Sequence, residues 1–215
     1  MNLKETATQR WRTHTSAEGL TWGMVLDGSV VVEAVRGHAR LDEAAILEIG
    51  PGYGRFLRTL VASSFGFASY AGLDISAHWV RELTAEFRGQ PNIEFIQGTA
   101  EEADKLFAGR KFDLIVSMLT WKHLYPDFRI AARACRSLLM PDGRLIFDLP
   151  ETWIAWAAQP ESAAGAFEET GTFTRSYARP EVQALLAKTG FTIAAFDDIE
   201  HAPGKRRLLV VAAGR

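Results

Sequence analysis

From about residue 44 onward, short continuous apolar runs alternate with stretches whose apolar residues fall every three or four positions. AAILEIG (44–50) is rich in Ile and Leu and ends at glycine, which predicts a strand buried on both faces. YGRFLRTLVASSF (53–65) places Phe56, Leu57, Leu60 and Val61 on one helical face. SYAGLDI (69–75) predicts a second strand, and Ser76 caps the helix AHWVRELTAEFRG, which Gly89 ends. NIEFIQG (92–98) and FDLIVSML (112–119) predict a third and a fourth strand. A helix near 127–139 then stops before the turn signal Pro141-Asp142-Gly143, and RLIFDLP (144–150) supplies a fifth strand. Repeated strand–helix alternation with short connections predicts an α/β fold: a mostly parallel sheet with helices on both faces.

The last third departs from this rhythm. Residues 150–178 carry no strong periodic signal and are expected to form a substrate-facing insertion. RPEVQALLAKTG (179–190) predicts a short helix with Pro180 in its first turn and Gly190 past its end. FTIAAFDDIE and RRLLVVAAG predict two strands, and the short HAPGK link between them permits only an antiparallel hairpin. Residues 1–43, with Trp11 and Trp22, are expected to be a helical extension or lid on a domain spanning 44–215.

Composition narrows the function. Lys plus Arg is 24 and Asp plus Glu is 26, a net charge of −2, so there is no clustered positive charge of the kind a nucleic-acid surface needs. No apolar run approaches the ~20 residues that span a bilayer, and the polar start MNLKETATQRWRTHTS lacks a secretory leader's apolar stretch. Cys135 is the only cysteine, which excludes an intrachain disulfide and a cysteine-rich metal site. The expectation is a soluble, cytoplasmic protein with a small-molecule partner, no nucleic acid, no membrane and no metal.

Candidate chemistry is concentrated in ILEIGPGYGRF (46–56). Gly50, Gly52 and Gly54 lie where a buried strand passes into a helix, so the backbone can approach a ligand and a helix N-terminus can offer N–H groups. A dinucleotide fingerprint would need its third glycine at position 55, which is Arg55, and no G-K-[ST] of a P-loop follows. Glu48, at the strand end, would repel a pyrophosphate and attract an ammonium group. Asp74 ends the second strand, where a carboxylate can accept hydrogen bonds from both hydroxyls of a ribose. The expected ligand is therefore a nucleoside with an amino-acid end.

E-I-G-P-G-Y-G (48–54), L-D-I-S (73–76), I-Q-G-T-A-E (96–101), F-D-L-I-V-S (112–117) and L-L-M-P-D-G-R-L (138–145), in this order, resemble the successive motifs of class I S-adenosylmethionine-dependent methyltransferases. That resemblance implies a Rossmann-like, seven-stranded sheet whose last strand is antiparallel. It implies cofactor contacts at Gly50, Gly52 and Gly54 for the methionine end and at Asp74, with Ile75 beside it, for the ribose. Thr99 and Ala100 would lie by the adenine, and Ser117 and Met118 near the sulfonium. The family often has Asp where Thr99 stands; Thr99 can still accept a hydrogen bond, and Glu101 can take over that role.

His123 follows the fourth strand and is the candidate general base for an O- or N-methylation of a metabolite such as a natural product or a sugar-bearing molecule. Trp121 and Tyr125 flank it and, with Trp11, Trp22 and Trp153, are the candidate walls of a substrate pocket. His14, His38, His78 and His201 have no metal-ligand spacing and are expected at the surface, and Cys135 is expected to be a buried small hydrophobe. Two other classes stay open: a non-catalytic S-adenosylmethionine-binding protein, and a nicotinamide-dependent oxidoreductase, which Arg55 disfavours.

Overall fold

The computed structural model describes residues 3–15, 28–63, 65–152, 165–167, 172–201, 204 and 206–215. Seven of its strands form one sheet: β1 (Ala45–Ile49), β2 (Ser69–Asp74), β3 (Ile93–Gln97), β4 (Phe112–Ser117), β5 (Leu139–Leu149), β8 (Phe191–Glu200) and β9 (Arg206–Gly214). Their order across the sheet is β3-β2-β1-β4-β5-β9-β8. Neighbouring strands from β3 to β5 pair in parallel, whereas β9 runs antiparallel to both β5 and β8. The last strand is thus antiparallel and lies one place in from the sheet edge, as the short link predicts. A separate pair, β6 (Ala166–Phe167) and β7 (Phe173–Thr174), is antiparallel and lies within the expected insertion.

Successive strand residues point to opposite faces, and the apolar runs accordingly feed two cores. Ile46, Tyr70, Leu114, Val116 and Ile146 pack with Val31 and Val35 of α2 (Gly28–Arg36), Phe56 and Leu60 of α3 (Arg55–Ala62) and Leu83 of α4 (Ala77–Glu86). Leu47, Ile49, Leu73, Ile115 and Phe147 pack on the other face with Ala103 of α5 (Ala103–Leu106), Cys135 and Leu138 of α6 (Arg129–Leu138) and Val182 and Leu186 of α7 (Arg179–Ala187). Helices therefore cover both faces, and Cys135 is a buried packing residue as expected. Each fully buried Leu or Phe contributes about 1.5–3 kcal/mol relative to exposure, so these layers are the main source of stability.

Three local expectations need correction. Val61, assigned to the buried face of its helix, is 42% exposed. Pro141-Asp142-Gly143 does not separate helix from strand. It forms a bulge inside β5, because Phe112 pairs with Leu139 and Leu114 with Arg144. His201, expected at the surface, is fully buried against Asp148. Among the described residues no helix is long and apolar enough to cross a membrane.

The chain moves outward from β1 to β3 and then returns to β4 on the other side of β1. The sheet's switch point lies between β1 and β4, and open α/β sheets hold ligands outside the strand C-termini at such a point.

Candidate functional site

At that switch point lies a cavity of about 330 Å³, within the range of small-molecule sites. The C-terminal ends of four strands line it: Gly50 and Gly52 after β1, Asp74 and Ile75 from β2, Thr99, Ala100 and Glu101 after β3, and Met118, Thr120 and His123 after β4. Glu48, within β1, also reaches it. Helix α1 (Leu3–Thr13) contributes Thr8, Arg10 and Trp11, and His14 follows just past its end.

The glycine bend has left-handed backbone at Gly50, Gly52 and Gly54, with φ of 73°, 54° and 82°. Its three glycines do different work. A Cβ on Gly50 would stand 2.3 Å from Thr120 Oγ1, and one on Gly54 would stand 2.5 Å from Leu83 Cδ2. A Cβ on Gly52 would meet nothing within 4 Å. Gly50 and Gly54 are therefore glycine for packing as well as backbone shape, while Gly52 keeps a face of the cavity bare. Gly54 caps α3 and is absent from the lining. Both Gly50→Ala and Gly52→Ala should carry a left-handed strain of about 1–2 kcal/mol. Gly50→Ala adds the Thr120 collision, so thermal melting should find it the less stable of the two.

The N–H groups of the three bend glycines are already engaged within the protein. Gly50 donates to the Leu73 carbonyl (2.8 Å), Gly52 to Asp74 Oδ2 (2.9 Å) and Gly54 to the Pro51 carbonyl (2.9 Å). Asp74 Oδ1 accepts from the Ser76 amide at 2.8 Å. Asp74 thus ties the first bend to the second, and each of its oxygens keeps a further lone pair for a ligand. Burial raises its pKa, and the Ser76, Gly52 and Ile75 amides partly offset that rise.

Glu48 is 4% exposed and accepts a hydrogen bond from the Tyr70 hydroxyl. Burial pushes its pKa up to about 7, opposed by Tyr70 and Arg55 and reinforced by Asp74. At neutral pH it stands between its two charge states. In the unliganded protein a raised carboxyl pKa adds stability that is present at low pH and lost as pH rises through about 7.

Thr99 donates through both its amide and its hydroxyl to Glu102, and Glu101 pairs with Lys4 of α1 at 3.2 Å. The Thr99 oxygen can still accept, as expected of it, but its own proton is committed. Ser117 is fully buried and donates to the Ile49 carbonyl at 2.7 Å, stitching β4 to β1. It is a strand tie and does not line the cavity.

Of the expected substrate walls among the described residues, only Trp11 lines the cavity, its ring centroid 4.4 Å from that of His123. Trp121 is fully buried in the core and does not line the cavity: it stacks on Phe147 with centroids 4.0 Å apart. Tyr125 packs against Phe167 and Phe173, outside the lining. Trp22 and Trp153 lie outside the described residues.

His123 Nδ1 lies 2.7 Å from the Phe173 carbonyl. The tautomer that suits this contact carries its proton on Nδ1 and leaves Nε2 as an acceptor. Burial above all, then Lys122, lowers the ring's pKa to about 3 despite the Phe173 contact. The ring is neutral at pH 7 and a weak proton acceptor.

Behind the bend after β4 sits a buried ionic cluster that the sequence did not signal. Asp148, on β5, accepts from the Leu119 amide at 2.5 Å, from His201 Nε2 at 2.9 Å and from Arg207 Nε. Leu119 has φ 61°, an uncommon conformation for a side-chain-bearing residue, and both it and its neighbours Met118 and Thr120 line the cavity. Asp148 fixes that strained backbone and so shapes one wall. Trp79, Tyr53, Arg10 and His14 are further lining residues that were missed. The spacing Ala7–Trp11–His14, which continues one face of α1 past its end, was the available signal for His14.

The family described as "Methyltransferase domain" matches residues 47–147. A malonyl-[acyl-carrier protein] O-methyltransferase of Halalkalibacterium halodurans is 29% identical over 126 residues, 57% of this chain and 46% of that protein. The chain thus spans about half the length of that curated relative. The crystal structure of Burkholderia thailandensis 1,6-didemethyltoxoflavin-N1-methyltransferase, with 1,6-didemethyltoxoflavin and S-adenosylhomocysteine bound, is 18% identical with a TM-score of 0.71, covering 99% of this chain and 87% of that one. A S-adenosylmethionine-dependent methyltransferase of Leishmania major is 20% identical with a TM-score of 0.75, covering 98% and 82%. These two share the fold. With a parallel sheet carrying one antiparallel last strand, and a ligand-sized cavity at its switch point, the chain shares the fold of these S-adenosylmethionine-dependent methyltransferases, and its residues 47–147 match the methyltransferase-domain family.

Proposed function

We propose that the protein transfers a methyl group from S-adenosylmethionine to a small molecule held beneath α1. The observation that carries this reading is the meeting, in one cavity, of the bare bend at Gly52 with two buried carboxylates, Glu48 and Asp74. When bound, S-adenosylmethionine supplies a methyl group on a positively charged sulfur that leaves readily, so the protein's task is alignment and exclusion of water. Glu48 and the Gly50–Gly52 bend would hold the amino-acid end, and Asp74 with Ile75 the ribose hydroxyls. Thr99, Ala100 and Glu101 would flank the adenine, and Met118 the reacting region. Helix α1 serves as the cover, and Trp11 stands between cover and His123. The malonyl-[acyl-carrier protein] acceptor of the Halalkalibacterium enzyme and the 1,6-didemethyltoxoflavin bound to the Burkholderia enzyme support a small or carrier-bound acceptor.

Ionised Glu48 favours an ammonium group, so affinity for S-adenosylhomocysteine should rise with pH. With a pKa of about 7 the ionised fraction grows about tenfold from pH 6 to pH 8, and calorimetric dissociation constants should fall by the same factor. Glu48→Gln should abolish that slope.

His123 acts as a neutral hydrogen-bond acceptor that orients the substrate and does not serve as the proton sink. Loss of a true general base costs about 10²–10⁴ in rate. His123→Gln should lower kcat by less than that lower bound. Formation of S-adenosylhomocysteine against a panel of acceptors tests the reading itself: acceptor-dependent turnover is expected, and tight cofactor binding with no turnover on any acceptor would point to a binding protein instead.

A further inference from the structure

The end of the cavity under α1 carries positive charge. Arg10 and Trp11 come from α1, Lys122 and His123 from the 3₁₀ turn Trp121–His123, and all four line the cavity. The Arg10 guanidinium lies 5.9 Å from the Trp11 ring centroid, and that ring lies 4.4 Å from His123. Two cations from different elements, Arg10 and Lys122, thus line the same cavity as the Trp11 ring. Among the described residues, the carboxylates that line the cavity have partners of their own: Glu48 takes the Tyr70 hydroxyl, Asp74 the Gly52 and Ser76 amides, and Glu101 the Lys4 ammonium. Besides burial, the charges that depress the His123 ring are Lys122, Arg207 and Arg10, all cations, of which Arg207 is paired with Asp148.

We infer that the acceptor is a small organic acid bound as its anion, its carboxylate between Arg10 and Lys122 and its apolar part against Trp11. The methyl-transfer step, though not the binding, rests on the function proposed above. A carboxylic acid has a pKa near ~4 and is ionised at neutral pH, so its oxygen is a nucleophile that needs no base. The oxygen–carbon bond forms as the carbon–sulfur bond breaks, and the bonding pair goes to sulfur. The negative charge of the acid and the positive charge of the sulfonium cancel, giving a neutral ester and a neutral thioether. No proton is left to place, which suits a site where His123 is a weak base.

Calorimetry in two stages tests this. S-adenosylhomocysteine is titrated first; then phenylacetate and hexanoate are compared with phenylacetamide and hexanamide, on the protein alone and on the protein with S-adenosylhomocysteine. The acids should bind at least about tenfold more tightly than their amides, and raising the salt concentration should narrow the gap. Arg10→Gln and Lys122→Gln should each erase most of that preference while affinity for S-adenosylhomocysteine holds. Equal binding of acids and amides, or binding of neither while S-adenosylhomocysteine binds, would overturn the inference. Acid preference without any S-adenosylhomocysteine binding would instead uphold the anion site and sink the methyltransferase reading.

Discussion

Asp148→Ala should destabilise the protein by about 3–5 kcal/mol, the range found when one partner of a buried ion pair is removed. Asp148 is wholly buried, and the substitution leaves Arg207, 12% exposed in its side chain, and His201, wholly buried, without the carboxylate they share. It also frees the Leu119 amide, so the left-handed backbone at φ 61° loses its restraint and one cavity wall loosens. Urea denaturation measures the first effect, and weakened affinity for S-adenosylhomocysteine in the folded variant measures the second. The network has a pH signature too. Burial alone would raise the Asp148 pKa, but Arg207, His201 and the Leu119 amide hold it well below the usual carboxylate range. A depressed carboxyl pKa adds stability that is present above the unfolded value and lost as pH falls below about 4. A loss of less than about 1 kcal/mol in Asp148→Ala would show that the cluster does not depend on its carboxylate.

Asp74→Asn should lower affinity for S-adenosylhomocysteine by about two orders of magnitude. Hydrogen bonds to a charged group are worth about 1.5–3 kcal/mol, and the ribose would lose the charge from both of its bonds. The substitution also sets an amide NH₂ against the Gly52 or Ser76 N–H, since both now donate to the carboxylate. Some fold stability should therefore be lost as well. Comparing S-adenosylhomocysteine with a 2′,3′-dideoxy analogue separates the two causes: the wild-type protein should discriminate strongly and the variant hardly at all. Undiminished affinity in Asp74→Asn would remove this residue from the site.

Much of this site was legible because strand ends are legible. The apolar run of β1 stops at Gly50 and that of β2 at Asp74, and a parallel sheet brings both ends to one edge. The short link after β8 likewise dictated an antiparallel last strand. What stayed hidden depends on contacts distant in the chain. Nothing local shows that the N–H groups of Gly50 and Gly52 are taken by Leu73 and Asp74, since those partners belong to the next strand. Trp121 after β4 reads equally well as wall or core, and the 3₁₀ turn rotates it inward onto Phe147. His201 and Asp148 are far apart in sequence and meet only because β9 runs back alongside β5, bringing the end of β8 with it. Helix α1 reaches the site through tertiary contacts such as Ser76 Oγ donating to the His14 carbonyl at 3.2 Å, which no periodicity reports.

Isothermal titration of the wild-type protein with S-adenosylhomocysteine, with NAD as the comparison ligand, addresses the central claim most directly. One S-adenosylhomocysteine per chain should bind, more tightly at pH 8 than at pH 6, and NAD should give no measurable heat. Saturable NAD binding, or silence from S-adenosylhomocysteine at both pH values, would contradict a pocket built for a charged amino-acid nucleoside.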